Sequence, residues 1–144
     1  MSTHPAIATL IPHQGGMCLH ERVLAFDEAR VTLATATHRS PDNPLRRNGR
    51  LHAIHLCEYG AQAMAVHAGL LANSRGERAG PGLLVSLREV VLSVARIDDL
   101  DGELVTDADC VLAGADSAQY AFRIRHGDAL LAQGRAAVML RLPA

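Results

Sequence analysis

The sequence predicts an α+β fold in which an antiparallel β-sheet wraps around one long central helix. Three observations predict it. Residues 51–72, LHAIHLCEYGAQAMAVHAGLLA, read as a helix that is apolar on every side, and such a helix must be enclosed by protein or by lipid. Residues 83–97, 103–112, 118–125 and 129–142 are rich in Val and Leu and are separated by turn signals, as expected of strands. The order of two strands, a helix and four strands then leaves few ways to enclose that helix other than curling the sheet around it. At 144 residues the chain is expected to be a single domain, 1–144, with room for a real core.

Residues 5–11 form a short apolar stretch of one or two helical turns, closed by Pro12. Residues 18–26 and 31–37 read as a first hairpin turning at Asp27-Glu28. The segment SPDNPLRRN, 40–48, is a loop, because Pro41 and Pro44 break helix and Asn-Pro and Asn-Gly favour turns. The long helix follows Gly49. Its many small residues, among them Gly60, Ala61, Ala65 and Gly69, admit close approach of other backbones. A second loop, 73–81, precedes the strands. Asp98-Asp99, Asp101-Gly102, Gly114 to Ser117 and His126-Gly127-Asp128 separate them, the last two as hairpins. Alternation is clear at Tyr120, Phe122 and Ile124 and again at Ala137, Met139 and Arg141, the mark of half-buried strands. A sheet of this kind has an exposed edge, so dimerisation through it is expected.

Composition excludes several classes. A net charge of −1 argues against broad binding of nucleic acid, and two Phe, two Tyr and no Trp leave little for stacking on single strands. No apolar stretch has the length to span a bilayer, and MSTHPAIATLIPHQGG lacks the features of a secretory signal. Cys18, Cys57 and Cys110 are scattered and odd in number, which suggests free thiols and a cytoplasmic protein.

Glu58 is the anomaly. Ionising a carboxyl away from water is costly, yet this one lies within the apolar helix. At about 100° per residue, His55, Glu58 and Gln62 fall within roughly 60° of one another. That narrow polar stripe faces a cleft, lies partly exposed at the helix edge, or buries the acid beside an arginine. His52, His55 and Glu58 also read H-x-x-H-x-x-E, but the ends of that motif diverge by about 120°, which suits a metal poorly. His38 ends the second strand and His13 lies beside Gly15-Gly16. Arg39, Arg46, Arg47 and Arg50 crowd the loop before the helix, with Arg75 and Arg78 after it, either as solvated charge or as a landing site for an anion. Neither a G-x-S-x-G elbow nor a phosphate-binding glycine loop is found.

IPHQGGMCLHERVLAFDE resembles the PHR-x-P-x-L-L-x-D-R-V opening of the 3-hydroxyacyl-acyl-carrier-protein dehydratases, and EYGAQAMA resembles their E-A-M-A-Q helix. SLREVVLSVARIDDLDGELV is similar to their later strand pair. THRSPDNPLRRNGRL reads like the divergent branch found with aryl-polyene and related lipid or polyketide pathways. The resemblance covers most of the chain.

It implies a hotdog fold that works as a homodimer or a larger assembly of dimers, with sites at subunit interfaces. It implies a substrate held as a thioester on phosphopantetheine, borne by acyl carrier protein or coenzyme A, and loss of water to a trans-2-enoyl product. No metal or redox cofactor is called for. Glu58 occupies the place of the family's acid and Gln62 that of its glutamine. The family's histidine lies in a G-H-F-P segment, but the same interval back from Glu58 reaches Pro44, in NPLRR. The base then falls to His38, His52 or His55, with His38 preferred. Gln62, His13 and Ile54 are expected against substrate, and Arg46 and Arg47 against the phosphate or an acidic carrier. Backbone N–H groups near 52–54 are expected to steady an enolate. A hotdog thioesterase and a non-catalytic acyl-binding or partner subunit are the alternatives.

Overall fold

The computed structural model describes residues 4–12, 15–77 and 82–140. Six strands form one antiparallel sheet: β1 (Arg22–Phe26), β2 (Arg30–Thr35), β3 (Gly82–Leu92), β4 (Leu104–Ala113), β5 (Ser117–His126) and β6 (Ala129–Leu140). Their spatial order is β1-β2-β4-β5-β6-β3. The single long helix, α1 (Leu56–Ser74), lies over β2, β4, β5 and β6. This is the architecture expected, with every anticipated strand and the helix in place.

Local chemistry sets the turns. Asp27 closes the first hairpin by accepting the N–H groups of Ala29 and Arg30 on Oδ1 at 2.8 and 2.9 Å. Gly127, at φ 58°, opens the two-residue loop between β5 and β6. Alternation along β5 carries Ala118, Tyr120, Phe122 and Ile124 into the core. Phe122 lies flat between helix and sheet: a Cβ at Gly60 would come within 2.7 Å of its ring on one side, and one at Gly134 within 2.9 Å on the other. The core joins α1 residues Leu56, Tyr59, Met64, Val66 and Leu70 to Leu33, Leu104 and Leu131.

Several boundaries differ from expectation. The first strand starts at Arg22 and not at residue 18, because segment 17–20 is held by side chains and not by a sheet partner. The second ends at Thr35, and His38 falls in a 3-10 turn, Thr37–Arg39. The helix proper begins at Leu56 after a 3-10 turn, Ala53–His55. β3 stops at Leu92, five residues short of the expected end at 97, where the chain leaves β6 to lay Ala95 and Ile97 against Ala53 and Leu51. His13, Arg78 and residues 141–142 lie outside the described residues. Among the described residues no helix is long and apolar enough to cross a membrane.

Candidate active site

The start of α1 and the loops on either side of it hold the predicted groups. The helix presents two kinds of surface. Tyr59, Gln62, Met64, Val66 and His67 are buried, whereas Glu58 is exposed, at the head of a half-buried row of Ala61, Ala65 and Ala68. In the single chain, then, Glu58 is not sequestered, contrary to the cleft expected from its neighbours. The helix is covered where segment 17–20 crosses it, and Glu58 lies beyond that cover.

Gln62 explains the cover. Its Oε1 accepts the N–H groups of Leu19 and His20 at 2.7 and 3.2 Å, and its Nε2 donates to Met17 O at 2.7 Å. Thr35 and Thr37 hydroxyls both donate to Leu19 O at 2.6 Å. Gln62 thus staples an unpaired stretch of backbone to the helix, and both amide ends expected to meet a substrate already serve that staple. The polar stripe splits: Glu58 faces outward and Gln62 inward.

His38 is fully buried. Its Nε2 donates to Leu100 O at 2.9 Å, which leaves Nδ1 as a bare lone pair, buried without a partner among the described residues. Burial holds its pKa below the usual imidazole value, with the bond to Leu100 opposing. A lone pair of this kind suits a base, but in the single chain it is shut in the interior while Glu58 is exposed. Arg46 is likewise turned to the loop, donating from Nη1 to Gly49 O at 2.8 Å and from Nη2 to His38 O at 3.2 Å.

The backbone donors expected for an enolate are also occupied. Ala53 N–H donates to Ala95 O at 2.9 Å and His55 N–H to His52 O at 3.1 Å. Ile54 N–H donates to His52 Nδ1 at 3.0 Å, while the Ile54 side chain is exposed. Three predicted groups do come together: Arg47, His52 and His55 line one cavity of about 300 Å³. Its remaining wall comes from Leu45, Arg50, Ala95 and Arg96. Glu58 follows His55 by three residues, close to one full turn, on the same side of the helix.

A buried network behind the site was not anticipated. Tyr59 O–H pairs with the Thr37 hydroxyl at 2.9 Å and accepts from Asn43 Nδ2 at 3.2 Å, and Asn43 Oδ1 accepts Leu45 N–H at 2.9 Å. It ties the arginine loop to the helix, and burial raises the Tyr59 pKa. A tyrosine directly after Glu58 and an asparagine before Pro44 were the only signals of it. Among the described residues no three His, Cys, Asp or Glu side chains gather as metal ligands.

A six-stranded antiparallel sheet folded on one long helix, with polar groups collected at the helix start, defines the hotdog class. Residues 5–141 match the model of the ApeP-like family, described as ApeP dehydratase, and the chain belongs to that family. Its fold is similar to that of the dehydratase heterocomplex ApeI:P from Xenorhabdus doucetiae, at a TM-score of 0.87 and 22% identity over 96% of this chain and 93% of that one. AziG from S. sahachiroi gives 0.61 and 21% identity, over 84% of this chain and 91% of that one. A hypothetical thioesterase with coenzyme A from Streptococcus pneumoniae TIGR4 gives 0.61 and 14%, over 83% and 84%. No curated protein matches the chain significantly.

Proposed function

We propose that this protein eliminates water from a 3-hydroxyacyl thioester to give the trans-2-enoyl product, as one member of a pair of hotdog subunits. The reading is carried by Glu58, the one acid of α1, which follows His55 by three residues where His55 and His52 line a cavity, and which the sequence resemblance sets at the family's acid position. An acid that must deliver a proton near neutral pH needs a desolvated carboxyl, and the exposed Glu58 acquires one when a second subunit covers the alanine row. The ApeI:P dehydratase heterocomplex supports a paired assembly.

In this mechanism His55 takes the proton from C2 of the acyl chain, because the one acceptor nitrogen of His52 already holds Ile54 N–H. The electron pair left on C2 forms the C2–C3 double bond as the C3–O bond breaks, and Glu58 protonates the departing hydroxyl to water. Solvent returns the imidazolium proton to the Glu58 carboxylate, so each turnover restores both groups. His38 supports the arginine loop and does not touch substrate. The substrate arrives on acyl carrier protein or coenzyme A, and the cytoplasm is the compartment that fits the three free thiols.

A second reading is a non-catalytic subunit that shapes the acyl site of its partner. Pro44 at the place of the family's histidine favours it. One experiment separates the two. The protein, alone and with a cognate hotdog subunit, is assayed on a 3-hydroxyacyl thioester as wild type, Glu58→Gln, His55→Ala and His52→Ala. Dehydration requires Glu58→Gln and His55→Ala to lose at least about 100-fold in kcat. Full activity in Glu58→Gln assigns the chemistry to the partner.

A further inference from the structure

Arg47 and Arg50 flank a two-residue turn, Asn48-Gly49, whose φ angles of 52° and 74° are those of a type I′ hairpin. Arg47 N–H donates to Arg50 O at 2.8 Å and Arg50 N–H to Arg47 O at 3.0 Å. The two residues are therefore directly opposed, and their side chains leave on the same face. Like charges held this way repel. Among the described residues neither guanidinium has a carboxylate partner. Arg46 braces the turn through Gly49 O, so the repulsion is built in and not relaxed by drift of the loop.

Beyond the buried Leu51, His52 is exposed and continues that face, opposed by Arg96 across a second antiparallel bridge. Arg96 is already paired with Asp98, whose Oδ1 also accepts Leu51 N–H at 2.8 Å. Two cross-strand pairs, Arg47 with Arg50 and His52 with Arg96, thus converge on the same cavity, and Leu45 and Ala95 supply its apolar wall. His52 Nδ1 accepts Ile54 N–H, so the ring's remaining proton is on Nε2, a donor.

We propose that this cavity binds an organic phosphate, its oxygens gripped by Arg47 and Arg50 and its carbon chain laid along Leu45 and Ala95. Guanidinium forks match phosphate oxygens in pairs, and a rigid turn that fixes two of them removes much of the ordering cost of binding. A bound phosphate also relieves the repulsion that the turn enforces. The inference deepens the dehydratase reading by stating where the phosphorylated arm of a thioester carrier is held. It rests on that reading for the nature of the carbon chain and not for the anion.

The test is calorimetric titration of the intact protein with 4′-phosphopantetheine, pantetheine and coenzyme A. It uses wild type, Arg50→Gln and the double variant Arg47→Gln/Arg50→Gln, with Tm checked for each. Phosphopantetheine is expected to bind wild type at least about tenfold tighter than pantetheine, with the ratio falling toward one in the double variant. Equal binding of the two by wild type overturns the inference, as does a tenfold preference that survives both substitutions. Where the preference holds, coenzyme A binding more tightly than phosphopantetheine names the free coenzyme as the source, and equal binding names a carrier-borne arm. The titration needs no turnover, so a phosphate preference without dehydration defeats the proposed function alone. Dehydration without the preference defeats this inference alone.

Discussion

His20 shows how one buried side chain sets a pH dependence. Its Nε2 donates to Tyr59 O at 2.7 Å, and Nδ1 is buried without a partner among the described residues. Burial pushes its pKa down to about 4 from 6.5, the bond to Tyr59 opposing only in part. Between those values the unfolded chain binds a proton that the folded chain refuses, so stability falls as pH drops through that window. Above it neither state is protonated and the stability is intact; below it both are, and the loss is complete at roughly 3 kcal/mol. His38, also lowered by burial, adds to the same slope. Urea unfolding at pH 7, 6, 5 and 4.5 is expected to show this decline, and His20→Gln to flatten part of it. An unchanged slope in the variant places the titration elsewhere. Nothing in the sequence singles out His20 among eight histidines. Glu58 was legible as an anomaly, but periodicity gives only the angle between helix residues and not which arc is covered. That depends on segment 17–20, whose anchor, Gln62, acts through side-chain hydrogen bonds that leave no repeating pattern.

Helix and strand were legible where burial is repetitive. β5 announces itself because Tyr120, Phe122 and Ile124 alternate, and α1 because apolar residues fill all its sides. The 3-10 turns at Thr37–Arg39 and Ala53–His55 were not, since three residues are too few to show a period. The convergence of Arg50 and Arg96 was hidden for another reason: a bridge between distant segments sets it. The packing of α1 on β5 and β6 makes a sharp prediction. Alanine at Gly60 improves helix propensity by about 1 kcal/mol, yet its Cβ would meet Phe122 at 2.7 Å, and Gly134 lies against the other side of that ring. With backbone on both sides the ring can give way only by shifting the sheet or the helix, so strain of about 1–3 kcal/mol outweighs the propensity gain. Gly60→Ala is expected to lower Tm by several degrees. A Tm equal to or above wild type shows that the ring repacks.

At the scale of the molecule, the strand order leaves β1 and β3 as the two edges. An exposed edge was expected, but its identity was not legible, because β3 is followed in sequence by β4 and is paired instead with β6. The two edges differ. β1 has five residues, with a register shift between Val23 and Ala25 and an ion pair from Arg22 to Glu103 at 2.6 Å, features that blunt an edge. β3 has eleven residues. Its Leu84 and Leu87 pair with Val138 and Ala136, which places them on the helix-bearing face of the sheet, yet they remain 43% and 40% exposed. The helix cover that shields the same face of β4 does not extend to them. A second hotdog subunit meeting β3 would extend the sheet and cover both leucines, and in the proposed pair that subunit also closes over Glu58. Replacing Leu84 and Leu87 together by Lys is therefore expected to weaken association with a second subunit at least about tenfold, as charge at an edge and lost apolar burial act in the same direction. Sedimentation velocity reads the association, while Tm of the isolated chain holds, because both side chains are already half in water. On the proposed function, dehydration is expected to fall in step with assembly and to recover at high subunit concentration. Association that is indifferent to both lysines moves the interface off β3, and the enclosure of Glu58 must then come from another surface.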